Sequence, residues 1–281
     1  MRIQPMILGL LMAGSLALSA CSQKSADDTN SPASLKLYTL DCGSIQVSDL
    51  DSFSSTDEYA GQAGNLTNTC YLVRHPQGDL LWDLGLPSAL AGAGPQTNDI
   101  FTLTLETTLP EQLSAINVAA SDIDFVAISH SHFDHTGQVS LFPEAQWLVN
   151  NDEYQYMFST PENSAQNSGF AVLSKSLFTL SKDVFNDGTV VILGAPGHTP
   201  GHSVLQVNLP QTGPVLLTGD LYHRTQSRQL QLVPRFNSDE PQTRKSMQRF
   251  EALAKASGAR VIIQHELEDI NRLPKPPEFL Q

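Results

Sequence analysis

The segment His130-Ser131-His132-Phe133-Asp134-His135 constrains this chain more than any other part of it. Three imidazoles and a carboxylate crowd into six residues, directly after Asp124–Ser129, a run that predicts a β-strand. Neutral imidazoles packed this densely have little structural use without a cation among them. A nitrogen and oxygen donor set suits zinc, with manganese, iron or cobalt as alternatives. Alternation along an extended segment places His130 and His132 on one side, while Asp134 and His135 turn away after Phe133. One loop can therefore serve two metal ions, but it cannot complete the coordination of both. Further ligands must come from elsewhere, and the histidines available are His75, His198, His202, His223 and His265.

Three other stretches repeat the placement of a donor just past a strand. Gly197-His198-Thr199-Pro200-Gly201-His202 is a Gly/Pro-rich turn after the expected strand Thr189–Leu193. Asp220 follows the apolar run Val215–Thr218, and His265 follows Arg260–Ile263. An aspartate after a glycine is by itself an ordinary turn former. The repetition at four strand ends carries the argument.

Further strands are expected at Leu35–Leu40, Thr69–His75, Asp79–Asp83, Gln146–Val149 and Ser203–Asn208, with a hairpin turn at Pro76-Gln77-Gly78. Helices are expected at Leu109–Ala119, Asp152–Phe158 and Glu240–Ser257, the last with Met247, Phe250, Leu253 and Ala254 on one face. Residues 49–64 and 86–95 read as loops, and 160–169 as a polar stretch capping or bordering the site. Strands with helices between them, twice over, predict two sheets packed face to face with helices outside.

At 281 residues and 40% hydrophobic content, the chain can build one large domain. Its formal net charge of −13, with no cluster of lysine or arginine, repels polyanions and argues against nucleic acid as a partner. Residues 1–20 read as an export signal: Met1-Arg2 gives a basic start, and Ile7–Leu18 is apolar but short for a membrane span. Leu18-Ser19-Ala20-Cys21 resembles the lipobox of bacterial lipoproteins, which implies lipidation of Cys21 and a membrane anchor. Ser22 in place of Asp favours the outer membrane, facing the periplasm, by the sorting rules of such proteins. The same small-residue site also serves ordinary cleavage, which would leave a soluble exported protein. Residues 21–34 are then a flexible tether and 35–281 the folded domain. Cys42 and Cys70 are free to pair in an exported protein, or to lie as small buried residues in neighbouring strands.

His-x-His-x-Asp-His, Gly-His-Thr-Pro-Gly-His, Thr-Gly-Asp and a strand-terminal histidine together resemble the metallo-β-lactamase superfamily, over roughly residues 35 to 270. The resemblance implies an α/β fold, α+β by some schemes: an αββα sandwich of two mixed sheets with outer helices. It implies that His130, His132 and His198 bind one metal, that Asp134, His135 and His265 bind the other, and that Asp220 bridges them. His202 would support its loop. The nucleophile implied is a metal-bridging hydroxide, with Asp134 placed to accept or deliver a proton. A Ser-His-Asp hydrolase would be expected to show Gly-x-Ser-x-Gly, which the chain lacks.

Zinc β-lactamases often alter this ligand set, whereas Asp220 and His135 are both present here, as in lactonases and glyoxalase II thioesterases. Leu37–Gly43, Cys70–Pro76 and Leu81–Gly85 resemble the openings of quorum-quenching N-acyl-homoserine lactone lactonases. That family implies a small lactone substrate and a supporting role for Asp83 behind the ligand loop. It also carries a tyrosine three residues after the bridging aspartate, where this chain has His223, preceded by Tyr222; either could take the substrate-contacting role. Arg224, Arg228 and Arg235 read as solvated surface charges or as contacts to a carboxylate or hydroxyl group of the substrate, and Phe101, Met157, Phe158 and Phe170 as core or the border of an acyl pocket. The alternatives are a related esterase or thioesterase, and a metal-binding lipoprotein without turnover.

Overall fold

The computed structural model describes Met1 and residues 34–281. The rest of the expected signal, Cys21 and the tether up to residue 33 lie outside the described residues. Residues 34–281 lie in one compact unit.

Two mixed sheets make up its centre. The chain enters as β1 (Lys36–Val47), β2 (Gly64–His75) and β3 (Gly78–Trp82), an antiparallel meander, and continues through the hairpin β4 (Gln96–Asn98) and β5 (Phe101–Thr104). β6 (Phe125–Ala127), β7 (Gln146–Asn150) and β8 (Lys175–Phe178) then add in parallel beside β3. The first sheet runs β4-β5-β1-β2-β3-β6-β7-β8. The second contains β9 (Ser181–Asp183), β10 (Val190–Gly194), β11 (Ser203–Leu209), β12 (Gly213–Leu217) and β13 (Arg260–Ile262), in the order β13-β12-β11-β10-β9.

Period-two alternation decides which layer each side chain joins. Leu80 and Trp82 of β3 point into the space between the sheets, where they meet Ile192, Leu205, Val207 and Leu217 of the second sheet. Leu81, between them, points outward with Val126 and Trp147 and is covered by Leu113, Met157 and Phe170. On the far side, Val204 and Leu216 are covered by Met247, Phe250 and Ala254 of the helix Glu240–Ser257. The layers are helix, sheet, sheet, helix, as the sequence predicts.

The expected strands and helices are present with shifted ends. β1 extends to Val47, past the irregularity between Asp41 and Ser44, because the hairpin β4–β5 pairs with its far half. That hairpin, β8 and β9 are additions to the expected strands: β4 and β9 are polar three-residue segments, and β5 and β8 are only four residues long. The helix from Leu109 stops at Ala115 rather than Ala119, since Asn117 adopts the left-handed conformation (φ 59°) that ends helices. Cys42 and Cys70 form a disulfide between β1 and β2, with Cα atoms 5.7 Å apart. By loop-closure entropy a 28-residue separation is worth roughly 3–4 kcal/mol.

Candidate metal centre

β3 and β6 run parallel in the first sheet, as do β10, β12 and β13 in the second, and the residues just past their C-terminal ends meet at one rim of the sandwich. Asp83, His130, His198, Asp220 and His265 all stand just beyond those ends. The rim holds two groups of donors, His130, His132, His198 and Asp220 in one, and Asp134, His135 and His265 in the other. Of the candidates outside these groups, His75 lies at the opposite end of β3, stacked on Phe185 at 3.9 Å and paired with Asp187 at 3.0 Å.

In the first group His130 Nε2 is 2.8 Å from His132 Nδ1, and His198 Nε2 is 3.2 Å and 3.1 Å from those two atoms. Asp220 Oδ2 adds a fourth donor at 3.5 Å from His130 Nε2 and 3.4 Å from His198 Nε2. Ligands about 2.0–2.1 Å from a tetrahedral zinc lie about 3.3 Å from one another, so the spacing fits an ion at the centre. In the second group His135 Nε2 is 3.3 Å from His265 Nε2 and 3.5 Å from Asp134 Oδ2. Asp220 turns its other oxygen, Oδ1, to this group, 3.2 Å from His135 Nε2 and 2.9 Å from His265 Nε2. One carboxylate thus presents an oxygen to each group, and the residues fit two metal ions.

The local folding of the loop explains the split. His130 and His132 share a face of extended chain, and Ser131 points the other way. A helical turn, Phe133–Thr136, then swings Asp134 and His135 to the second group. At Asp220 the preceding Gly219 has φ 49°, and a Cβ there would press 2.7 Å from Ser129 Cβ, so only glycine lets β12 hand the aspartate to the rim.

Four of the five rings are held from behind. His135 Nδ1 donates to Asp83 Oδ2 at 3.1 Å, His198 Nδ1 to Asn237 Oδ1 at 3.2 Å and His265 Nδ1 to the Thr67 carbonyl at 2.8 Å. These bonds fix the tautomer that leaves Nε2 free for a ligand. His130 Nδ1 lies 3.0 Å from Ser129 Oγ. Asp83, itself left-handed at φ 59°, also accepts from Ser129 N at 2.6 Å and Gln264 Nε2 at 2.7 Å. His202 accepts the Asp220 backbone N–H at 3.0 Å and donates to the Ala195 carbonyl at 3.1 Å. Both therefore sit behind the ligands. Ser129, Asn237, Gln264 and Glu153 were not singled out in the sequence: single polar residues in loops and at a helix start carry no spacing signal.

Electrostatics separates the two groups. Burial holds His130 well below the ordinary imidazole range and His132 at about 3. Burial acts the same way on His135 and His265, but the nearby carboxylates outweigh it and raise both. Burial would likewise raise Asp134, yet the charges of His135 and His265 win and hold it at about 2.

Tyr222 is corrected by the structure. In extended chain, neighbours point to opposite sides, so Tyr222 is buried against Phe250 at 6.0 Å, while His223 faces the site. His223 Nε2 donates to Asp220 Oδ2 at 2.9 Å. A cavity of about 320 Å³ opens onto His132, Asp134, Asp220, His223 and His265, and its walls include Ile45, Phe53, Leu66, Phe101, Phe133 and Phe236. Phe101 lines it as one reading had it; Met157, Phe158 and Phe170 instead pack around Trp147. Residues 160–171 form two short helices and do not line it. Arg228 pairs with Glu251, Arg235 with Asp51 and Asp57, and Arg224 lies over the Tyr59 ring.

A helix-sheet-sheet-helix sandwich with two His/Asp donor groups joined by one carboxylate at its rim defines a class of dinuclear metal proteins. The chain belongs to the metallo-beta-lactamase superfamily, whose model matches residues 63–265. It is 28% identical over 264 residues to the N-acyl homoserine lactonase AttM of Azorhizobium caulinodans, covering 87% of this chain and 98% of that one. It is 26% identical to the N-acyl homoserine lactonase AiiA of Bacillus thuringiensis subsp. kurstaki over 256 residues, 87% of this chain and 98% of that one. A crystal structure of a quorum-quenching N-acyl homoserine lactone lactonase superposes with a TM-score of 0.76 at 25% identity, covering 87% of this chain and 98% of that one.

Proposed function

We propose that the protein is a metal-dependent hydrolase that opens the lactone ring of N-acyl homoserine lactones. The observation that carries this reading is the cavity: an apolar, phenylalanine-lined wall ends directly on the two donor groups. An ester carbonyl can sit at the rim while an acyl chain leaves water along Phe53, Phe101 and Phe236. The relatives named above, which carry this activity in their names, support it.

His130, His132 and His198 would hold one divalent ion, Asp134, His135 and His265 the other, with Asp220 shared; zinc fits the nitrogen-rich donors best. Bound there, the pair of ions supplies an acidified water and an electrophilic contact for the carbonyl oxygen. Asp134 lines the cavity and is ionised at neutral pH, so its carboxylate can take the proton of the attacking water. Water oxygen bonds to the carbonyl carbon, the ring C–O bond breaks, and the proton passes to the departing alkoxide, leaving an N-acyl homoserine. His223 directs its Nε2–H to Asp220, which orients the shared carboxylate.

A substrate panel with zinc-loaded protein tests the proposal. Ring opening of long-chain lactones without thioester cleavage supports it, and the reverse preference overturns it. Phe101→Ala should raise KM about tenfold for long acyl chains and little for short ones, the value of one well-buried phenyl contact. We further propose that the protein is exported and anchored through a lipid on Cys21, supported by the lipobox-like Leu18-Ser19-Ala20-Cys21. Labelled palmitate should be incorporated in the natural chain and not in Cys21→Ala.

A further inference from the structure

We infer that Glu153, which touches neither the cavity nor a donor group, is the positioning residue that assembles the first metal position by clamping its two loops together. It sits in the first turn of the helix Asn151–Met157 and is 1% exposed. Its two carboxylate oxygens divide their work. Oε1 accepts from the backbone N–H of Ser131 at 2.8 Å and from the Ser131 hydroxyl at 2.6 Å. Oε2 accepts from the Thr199 hydroxyl at 2.7 Å and from the backbone N–H of Gly201 at 2.9 Å.

Ser131 stands between His130 and His132, and Thr199 follows His198. Each oxygen therefore grips the residue next to a donor of the first group, and one side chain sets the distance between two loops far apart in sequence. Gly201 shows how close the approach is, since a Cβ there would collide with the backbone nitrogen of Glu153. All four donors are neutral N–H or O–H groups that converge on one buried carboxyl group. The second group is held by other residues, Asp83 among them, which accepts from His135 Nδ1 and from Gln264 Nε2 beside His265. His135 and His265 are braced by Asp83 and by the Thr67 carbonyl, and none of their bonds passes through Glu153.

The division makes Glu153→Gln a selective test. The amide keeps the shape, but its NH2 must face the donors of one loop, so only one loop can stay bonded. The inference rests on the reading of the site as a two-ion centre, and the natural chain tests that reading first: it should hold two zinc equivalents.

Zinc-loaded protein is then titrated with a chelator. In Glu153→Gln one equivalent should leave about 10- to 100-fold more readily, the usual effect of removing a group that orients a ligand. The other should keep its affinity within about twofold. Added to His265→Ala, which empties the second group, Glu153→Gln should weaken the zinc that remains; added to His198→Ala it should change nothing further. If the natural chain holds two equivalents and folded Glu153→Gln retains both at natural affinity, or weakens both alike, the clamp is refuted. If the natural chain does not hold two, the two-ion reading fails instead. Should Glu153→Gln not fold, Thr199→Val removes one of the four bonds and leaves the carboxylate in place. It should loosen the same single equivalent several-fold, and unchanged binding in it would also refute the clamp.

Discussion

The two donor groups share Asp220 but are built on different physics. The first, His130, His132 and His198, consists of imidazoles on loops, backed by the side chains of Ser129 and Asn237. Burial keeps His130 and His132 unprotonated, so these donors are ready for a cation and their geometry is the sensitive quantity. The second joins His135 and His265 to Asp134, and is braced by Asp83 at the end of β3 and by a carbonyl of β2. Its carboxylates raise both histidines, so this group draws positive charge, whether proton or metal ion. One half-site depends on loops being held in register; the other depends on charge balance among its carboxylates and histidines.

The largest effect should come from the residue both halves share. Asp220→Ala removes an oxygen from each group and leaves five histidines without the acid within 3.5 Å of them. Lactonase activity should fall roughly 10³-fold or more, at or beyond the top of the range for losing one electrostatic contact, and metal analysis should show well under two equivalents. Natural activity in this variant would end the shared-carboxylate picture. His198→Ala and His265→Ala divide the halves: each should leave about one equivalent of zinc, at a cost above the 10- to 100-fold typical of groups behind a ligand. If either variant still binds two equivalents tightly, the halves are not the units described.

A smaller effect is expected behind the second group. Asp83→Asn keeps the volume, but an amide cannot accept from Ser129 N, Gln264 Nε2 and His135 Nδ1 together. One buried donor is left unpaired, which costs about 1–3 kcal/mol, and zinc affinity should fall about 10- to 100-fold. Asp83 and Glu153 share no hydrogen-bond partner, so the double variant should show roughly additive losses in zinc binding. Strong coupling between them would mean the halves move as one.

The layered fold and the donors were legible because both depend on repetition. Alternation in β2, β3, β11 and β12 writes the two faces of each sheet into the chain, and four strand ends repeat a donor at the same place. The outer strand β4 left no such trace: Gln96, Thr97 and Asn98 are polar and exposed and pair with β5, which in turn pairs with the far half of β1. Glu153 was invisible for another reason. An acid in the first turn of a helix is what the helix dipole favours anyway, so nothing marks it as a buried acceptor until the two loops are folded onto it. The disulfide sat between these cases, since the sequence permits the pairing and only the register of β1 against β2 brings the cysteines together.

The smallest expected effect belongs to a residue next to the site. Tyr222 and His223 are adjacent, and the lactonase family resemblance drew attention to both. Extended backbone at Tyr222 (φ −141°, ψ 134°) sends the two side chains to opposite sides. His223 lies 2.9 Å from Asp220, whereas the phenol ring is packed among Leu221, Val233 and Phe250 under the outer helix. Tyr222→Phe keeps that packing, so kcat, KM and both zinc equivalents should match the natural chain within about twofold, with stability changed by about 1 kcal/mol at most. His223→Ala should instead lower kcat about tenfold, because the shared carboxylate loses the bond that orients it. A large loss of kcat in Tyr222→Phe with zinc still bound would place the phenol at the substrate, reverse the two roles and require this segment to turn over when substrate binds.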